Sequence, residues 1–367
     1  MAQSLQRMYQ PTHDETARHG FVGALKRHVN GPMEHSLSAR YDALLASSGD
    51  VERAGVSLKD ERLFRLWASV LYTSQDLMWE SLGETVDRLN PRYVECWRNL
   101  AGRKEKLGSL QLDQTLIIPE PIASCEMHRQ PGGYFHAADQ DDLTAPLAYF
   151  SAVDLYMSAK GFGVGQAAGS HAMCNLILAA GRHKRPGLAP TCVLDMGCGP
   201  GTETMGFRRA FPNAEMHGVD LSAPFLKFAH LWAEHQREAI HYRHANAADT
   251  GFPDGKFDLI VSHILFHETS SEMLPQILRE AHRLLVPGGL FINADVPYQT
   301  RTQSVPNRIT NAWQVDHNGE PFWTGYADTD VCLALINAGF ESDEVFAEYV
   351  PLGSGRYFIF GAVKKDD

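Results

Sequence analysis

The chain has 367 residues, a formal net charge of −11 and 44% apolar residues, enough apolar content for two domains with cores of their own. The negative balance argues against nucleic acid as a partner, because phosphate binding needs clustered Lys and Arg and the densest basic runs, Arg182 to Arg185 and Arg103 to Lys106, are short and isolated. No apolar run approaches the roughly 20 residues of a bilayer span, the first residues lack a signal-peptide core, and six scattered cysteines without paired spacing argue against a disulfide framework or a zinc ribbon, so a cytoplasmic protein without a membrane segment is expected.

Residues 1–145 read as a mainly helical domain. Ser57 to Asp60 resembles a capping box with Asp in place of Glu or Gln. It precedes apolar positions at Leu63, Phe64, Leu66, Trp67, Val70, Leu71, Leu77, Met78 and Leu82, spaced for a helix buried on one broad side. Pro91 is placed to start a second helix running to about Lys106. The domain is expected to roof a site in the second half or to form a homodimer contact. The stretch from Leu112 to Phe135 is an interdomain connection or a lid, and in the lid reading Arg129 or Tyr134 touches a cofactor or an acceptor carboxylate. Helices are expected from about Pro146 to Lys160 and from His171 to Ala180, with a glycine-rich break, Gly161 to Gly169, between them.

A short apolar run, Cys192 to Leu194, reads as a buried strand that ends in Asp195 and in glycines at 197, 199 and 201. Glycines at alternate positions permit a tight turn that brings main-chain N–H groups against a ligand, and a helix from Glu203 to Phe211 would add its positive N-terminus. The same parts suit a nucleotide pyrophosphate, but a dinucleotide fingerprint starting at Gly197 requires glycine at position 202, which is Thr202. A second strand ends in Asp220, nineteen residues beyond Gly201, the placement from which a carboxylate reaches a ribose diol. Ile240 to His244 is a third strand leading to Asn246 and Ala247, the stretch from Phe252 to Ser262 carries an Asp-Gly turn into a fourth, and a Pro-Gly-Gly turn at 287–289 leads into a fifth.

In this order, residues 191–296 resemble the core of the class I S-adenosylmethionine (SAM)-dependent methyltransferases. The resemblance implies an α/β fold: a seven-stranded, mostly parallel sheet with helices on both faces, its seventh strand antiparallel between the fifth and sixth. It implies a methyltransferase domain over residues 146–367 with SAM as cofactor. The cofactor would be held by Asp195, Gly197, Cys198, Gly199, Gly201, Asp220, Leu221, Asn246, Ala247 and Ser262, with Asn246 at the adenine amino group and Gly161 to Gly169 over the methionine end. Segments leaving the carboxyl ends of such strands form the ligand crevice. His263 and His267 are therefore candidates to take a proton from an acceptor, with Glu268 orienting the imidazole. The His-x-x-x-His spacing of His263 and His267 suggests zinc as well, but the sequence places no third ligand, so no metal is expected. Residues 297–327 form a cap insertion, rich in aromatics, where acceptor specificity or packing on the N-terminal domain is expected; Trp313 is a candidate substrate contact. The implied function is methyl transfer to a small-molecule acceptor, on oxygen or nitrogen, in specialised metabolism. Non-methylating chemistry on the same fold, or a silent partner subunit, is the alternative.

Overall fold

A computed structural model describes residues 10–120, 122–159, 172–297, 299–352 and 355–366. The N-terminal part is helical: α1 (His13–His28), a π turn at Val29–Met33, α2 (Glu34–Ser48), α3 (Val51–Asp60) and α4 (Arg62–Ala101). The capping box lies at Thr12 and Glu15, each side chain bonding the other's backbone N–H, at 3.2 and 2.6 Å. Ser57 to Asp60 caps nothing. Asp50 already caps α3 by accepting from the N–H groups of Glu52 and Arg53, so the helix is running when it reaches Ser57 and ends at Asp60.

Pro91 does not start a helix either, for α4 passes straight through it over 40 residues. A mid-helix proline costs about 3 kcal/mol. That cost is offset because Val86, Leu89, Tyr93, Trp97 and Leu100 flank it in a core shared with Leu143, Phe150 and Phe228. Pro91 and Asp87, whose carbonyl the proline ring frees, both face solvent, so the unpaired group can bond water.

The sheet contains β1 (Ser109–Gln111), β2 (Cys192–Met196), β3 (Glu215–Asp220), β4 (His241–His244), β5 (Phe257–His263), β6 (Leu285–Asp295), β7 (Val345–Leu352) and β8 (Gly355–Val363), in the order β1-β4-β3-β2-β5-β6-β8-β7. The first six are joined in parallel, and β8 runs antiparallel between β6 and β7, the expected position for the last strand. Among the described residues the count is eight rather than seven. The additional strand is β1, a three-residue edge that pairs with β4 because Gly108 lets the backbones meet: a Cβ there would lie 2.0 Å from the Ile240 carbonyl oxygen.

Helices α5 (Thr144–Ala159), α6 (Ala172–Lys184), α7 (Thr202–Ala210), α8 (Ala223–Gln236) and α9 (Leu274–Leu284) connect these strands, and separate apolar clusters fill the two faces of the sheet. Gly161 to Gly169 lies outside the described residues. The insertion at 297–327 is not an irregular loop: it carries α10 (Val305–His317) and α11 (Trp323–Asp328), followed by α12 (Val331–Asn337). Ser304 caps α10, and Ile309 and Trp313 of that helix join the core of the N-terminal helices, Trp313 lying edge-on to Trp67 at 5.4 Å. No helix among the described residues is long and apolar enough to cross a membrane.

Candidate active site

The carboxyl ends of the parallel strands converge on the loop from Asp195 to Gly201. Its N–H groups at Gly197 and Cys198 both donate to the Val219 carbonyl, at 2.9 and 3.0 Å, fastening the loop to β3. All three glycines have positive φ. Gly201 is required twice over, because a Cβ there would also lie 2.6 Å from the Tyr242 hydroxyl. Asp220 completes the turn by accepting from Gly199 N–H at 2.8 Å and from Ser222 N–H at 2.7 Å. Burial pushes its carboxyl up from the usual range, and these backbone donors act against that push.

Two cavities open on this loop. The smaller, about 110 Å³, is lined by Asp220, Leu221, Phe225, Asn246, Ala247 and Leu265. The larger, about 210 Å³, takes Asp195, Cys198 and Thr202 from the loop, Lys26, Gln75 and Trp79 from α1 and α4, and Trp323 from α11. Gly197, Gly199, Tyr149 and His263 line both, so the cavities meet over the glycines. A Cβ on Gly199 would meet nothing nearer than Phe225 at 3.8 Å and would project into this open space.

Residues 193–289 match the family model of a methyltransferase domain. Over 125 residues the chain is 34% identical to a malonyl-[acyl-carrier protein] O-methyltransferase of Pseudescherichia vulneris, covering 34% of this chain and 45% of that one. It is 33% identical to a demethylmenaquinone methyltransferase of Symbiobacterium thermophilum, covering 30% and 43%. Residues 193–289 therefore carry a methyltransferase domain. It spans less than half the length of these curated relatives. Among solved structures, a Haemonchus contortus phosphoethanolamine N-methyltransferase 2 in complex with SAM overlaps 52% of this chain and 53% of its own, at 17% identity and a TM-score of 0.42.

Beside the glycines, the methyltransferase domain and its N-terminal helices bring together a chain of charged side chains: Asp295, His267, Glu268, His128 and Glu320. His267 Nδ1 lies 2.5 Å from Asp295 Oδ1 at the end of β6, and its Nε2 lies 3.4 Å from Glu268 Oε1. His128 Nε2 lies 2.7 Å from the same Glu268 oxygen, and its Nδ1 contacts Glu320. Tyr134 donates to Glu268 Oε1 at 3.2 Å, whereas Glu268 Oε2 is buried without a hydrogen-bond partner among the described residues. Burial alone would push both imidazoles down. Glu320 and Glu268 outweigh it at His128, and Asp295 and Glu268 at His267, so each is carried up to about 10. Burial pushes Glu268 up, but the two imidazoles more than reverse it and hold it below the usual carboxylate range.

This geometry corrects the expected roles. His267 holds its proton at neutral pH and has a carboxylate on each nitrogen, so it is no general base, and Asp295 rather than Glu268 orients it. His263 is the opposite case: burial lowers it to about 4, it is neutral, and its buried Nε2 has no hydrogen-bond partner among the described residues. Ser262 is not in the site. Its hydroxyl donates to Asn293 at 2.7 Å inside the sheet and lines neither cavity. Arg129 also turns away, pairing with Asp76 and lying over the Tyr72 ring at 3.6 Å. Trp313 is committed to Trp67 and His317 and lines neither cavity. Tyr134 lines the smaller cavity against Phe225, and Asn246 lines it while accepting from the Ala248 N–H at 2.9 Å.

Of the residues that sequence reasoning left out, Asp295 carried a signal. It is an acid at the carboxyl end of a parallel strand, beside the strand that ends in His263. Lys26 and Gln75 carried none, since nothing in a sequence places α1 and α4 over this loop; Glu320 lies in the cap where acceptor specificity was expected, but nothing in the sequence placed it against His128.

Proposed function

We propose that this chain transfers the methyl group of SAM to oxygen or nitrogen of a small organic acceptor held in the larger cavity. The observation that carries this reading is that two cavities of different character share Gly197, Gly199 and His263. The smaller offers a carboxylate with lone pairs to spare on Asp220, an amide on Asn246 and apolar faces on Leu221, Phe225 and Leu265, a set that suits a ribose and a flat heterocycle. Asp195 and the loop glycines border the larger one, where the amino-acid end of the cofactor would lie. Bound there, SAM would supply an electrophilic methyl group on a sulfonium.

The protein's own part is mostly positioning. Trp79, Tyr149 and Trp323 wall the acceptor cavity with flat apolar surface, and Lys26 with Gln75, joined by a hydrogen bond of 2.5 Å, give it a polar roof from the N-terminal helices. Holding an acceptor at the cavity junction supplies the proximity that in oriented systems is equivalent to roughly 7–11 kcal/mol. His263, neutral and with no hydrogen-bond partner on Nε2 among the described residues, accepts the acceptor's O–H or N–H and orients it. With an affinity for protons as low as about 4 it is a weak base, so the His263→Ala variant is expected to lose kcat by about 10²-fold, the low end of the range for general bases. A loss of 10⁴-fold or more would assign it the whole proton transfer, and no loss would remove it from the mechanism.

Asp195 gives a pH dependence. Burial, which the Thr204 hydroxyl at 2.6 Å only partly counters and Asp220 reinforces, raises its carboxyl to about 7. It is protonated below that pH and ionised above it, and a cationic ligand group favours the ionised form. SAM affinity is therefore expected to rise between pH 6 and pH 8 and to stay flat in Asp195→Asn, as read by titration calorimetry at each pH. A profile unchanged by the substitution would assign the dependence to another group. The function itself is tested by following S-adenosylhomocysteine (SAH) release over an acceptor panel, starting with phenols and carboxylic acids. Release dependent on one acceptor class supports the reading, and SAM binding without release over the whole panel favours the silent-subunit alternative.

A further inference from the structure

We infer that His128, His267, Glu268 and Glu320 form a binding site for one divalent transition-metal ion at the wall of the acceptor cavity. One donor atom from each of these residues lies within 4.8 Å of the others. Ligands at about 2.0–2.2 Å from a common ion stand roughly 3.3–4.4 Å apart, a range that the 3.4 Å between His267 Nε2 and Glu268 Oε1 already meets, while the 2.7 Å between His128 Nε2 and Glu268 Oε1 must open for an ion to enter. The donors come from three separate places: the turn at Met127–Arg129 supplies His128, the segment after β5 supplies His267 and Glu268, and the link between α10 and α11 supplies Glu320.

Two further features point to an ion rather than to a set of hydrogen bonds. Asp295 holds His267 Nδ1 at 2.5 Å, which turns Nε2 toward Glu268, the carboxylate–histidine–metal arrangement that fixes a ligand's orientation. Glu268 places three partners on Oε1 and leaves Oε2 buried with none among the described residues, a loss of solvation that a second metal–oxygen contact would repair. Three carboxylates face two imidazoles, and an ion that displaces the proton from the ligating nitrogen of each imidazole would meet an excess of negative charge suited to a divalent cation. Imidazole donors favour Zn²⁺, Co²⁺ or Fe²⁺ over Mg²⁺. The sequence spacing that suggested zinc is not this site, since His263 is outside the set. His128, His267 and Glu320 line the larger cavity, so the ion would present its open position there; that role as a contact for an acceptor's oxygen rests on the function proposed above.

The test uses the full chain, freed of metal with a chelator and titrated with Co²⁺ while visible d–d absorption is followed. Zn²⁺ and Mg²⁺ serve as competitors, and elemental analysis follows gel filtration. One equivalent of Co²⁺ is expected, displaced by Zn²⁺ and not by Mg²⁺. Binding should be lost in Glu268→Gln and His128→Ala, weakened about 10–100-fold in Asp295→Asn and retained in His263→Ala. SAM titration of the same samples reads the cofactor site separately and shows whether each variant is folded. No stoichiometric binding to wild type, or binding that survives Glu268→Gln and His128→Ala together, overturns the metal site even where SAM binds.

Discussion

Asp220→Ala is expected to weaken SAM binding by about 10²–10⁴-fold. A carboxylate that accepts from both hydroxyls of a ribose makes two charge-assisted hydrogen bonds, each contributing about 1.5–3 kcal/mol, and every 1.4 kcal/mol is tenfold in affinity. The same side chain accepts from Gly199 N–H and Ser222 N–H, so alanine also releases the loop that joins the two cavities. Asp220→Asn separates the two effects, because the amide oxygen can keep one backbone donor while the charge is lost. Calorimetry should therefore rank affinity as wild type, then Asn, then Ala. Equal affinity in all three would remove Asp220 from the cofactor site.

The second large effect is on stability. Glu268 sits between His128 and His267, and Glu268→Gln keeps its shape while removing its charge. Breaking a buried ion pair by deleting one partner typically costs about 3–5 kcal/mol, because the remaining charge has lost its compensation. Here Asp295 and Glu320 still hold the two imidazoles, so the expected loss is at the lower end, about 3 kcal/mol, read from the shift of the denaturation midpoint. A shift near zero would show that the imidazoles are satisfied without Glu268.

How much of this was legible in the sequence follows from the range of the forces involved. The strands around Asp195 and Asp220 announce themselves by short apolar runs and by glycines that the loop geometry demands, because a side chain at Gly201 would strike Tyr242. The antiparallel last strand also lay where the resemblance put it. What was hidden depends on partners distant in the chain. β1 is three residues of mixed polarity, visible only through Ile240, the backbone that Gly108 approaches. Pro91 reads as a helix start until the packing of Tyr93 and Trp97 on α5 and α8 is known. Arg129 looked like a ligand for an acceptor carboxylate because its own carboxylate, Asp76, lies on another helix. Likewise, His267 looked like a free base because Asp295 is 28 positions away.

The measurement that bears most directly on the central claim is calorimetric titration of the purified wild-type chain with SAM and SAH. Binding of one equivalent of each, with the affinity falling in Asp220→Ala, is the predicted result. The absence of binding by either ligand to folded wild-type protein would contradict the account, because the loop, the two acids and the paired cavities would then have to serve some other ligand.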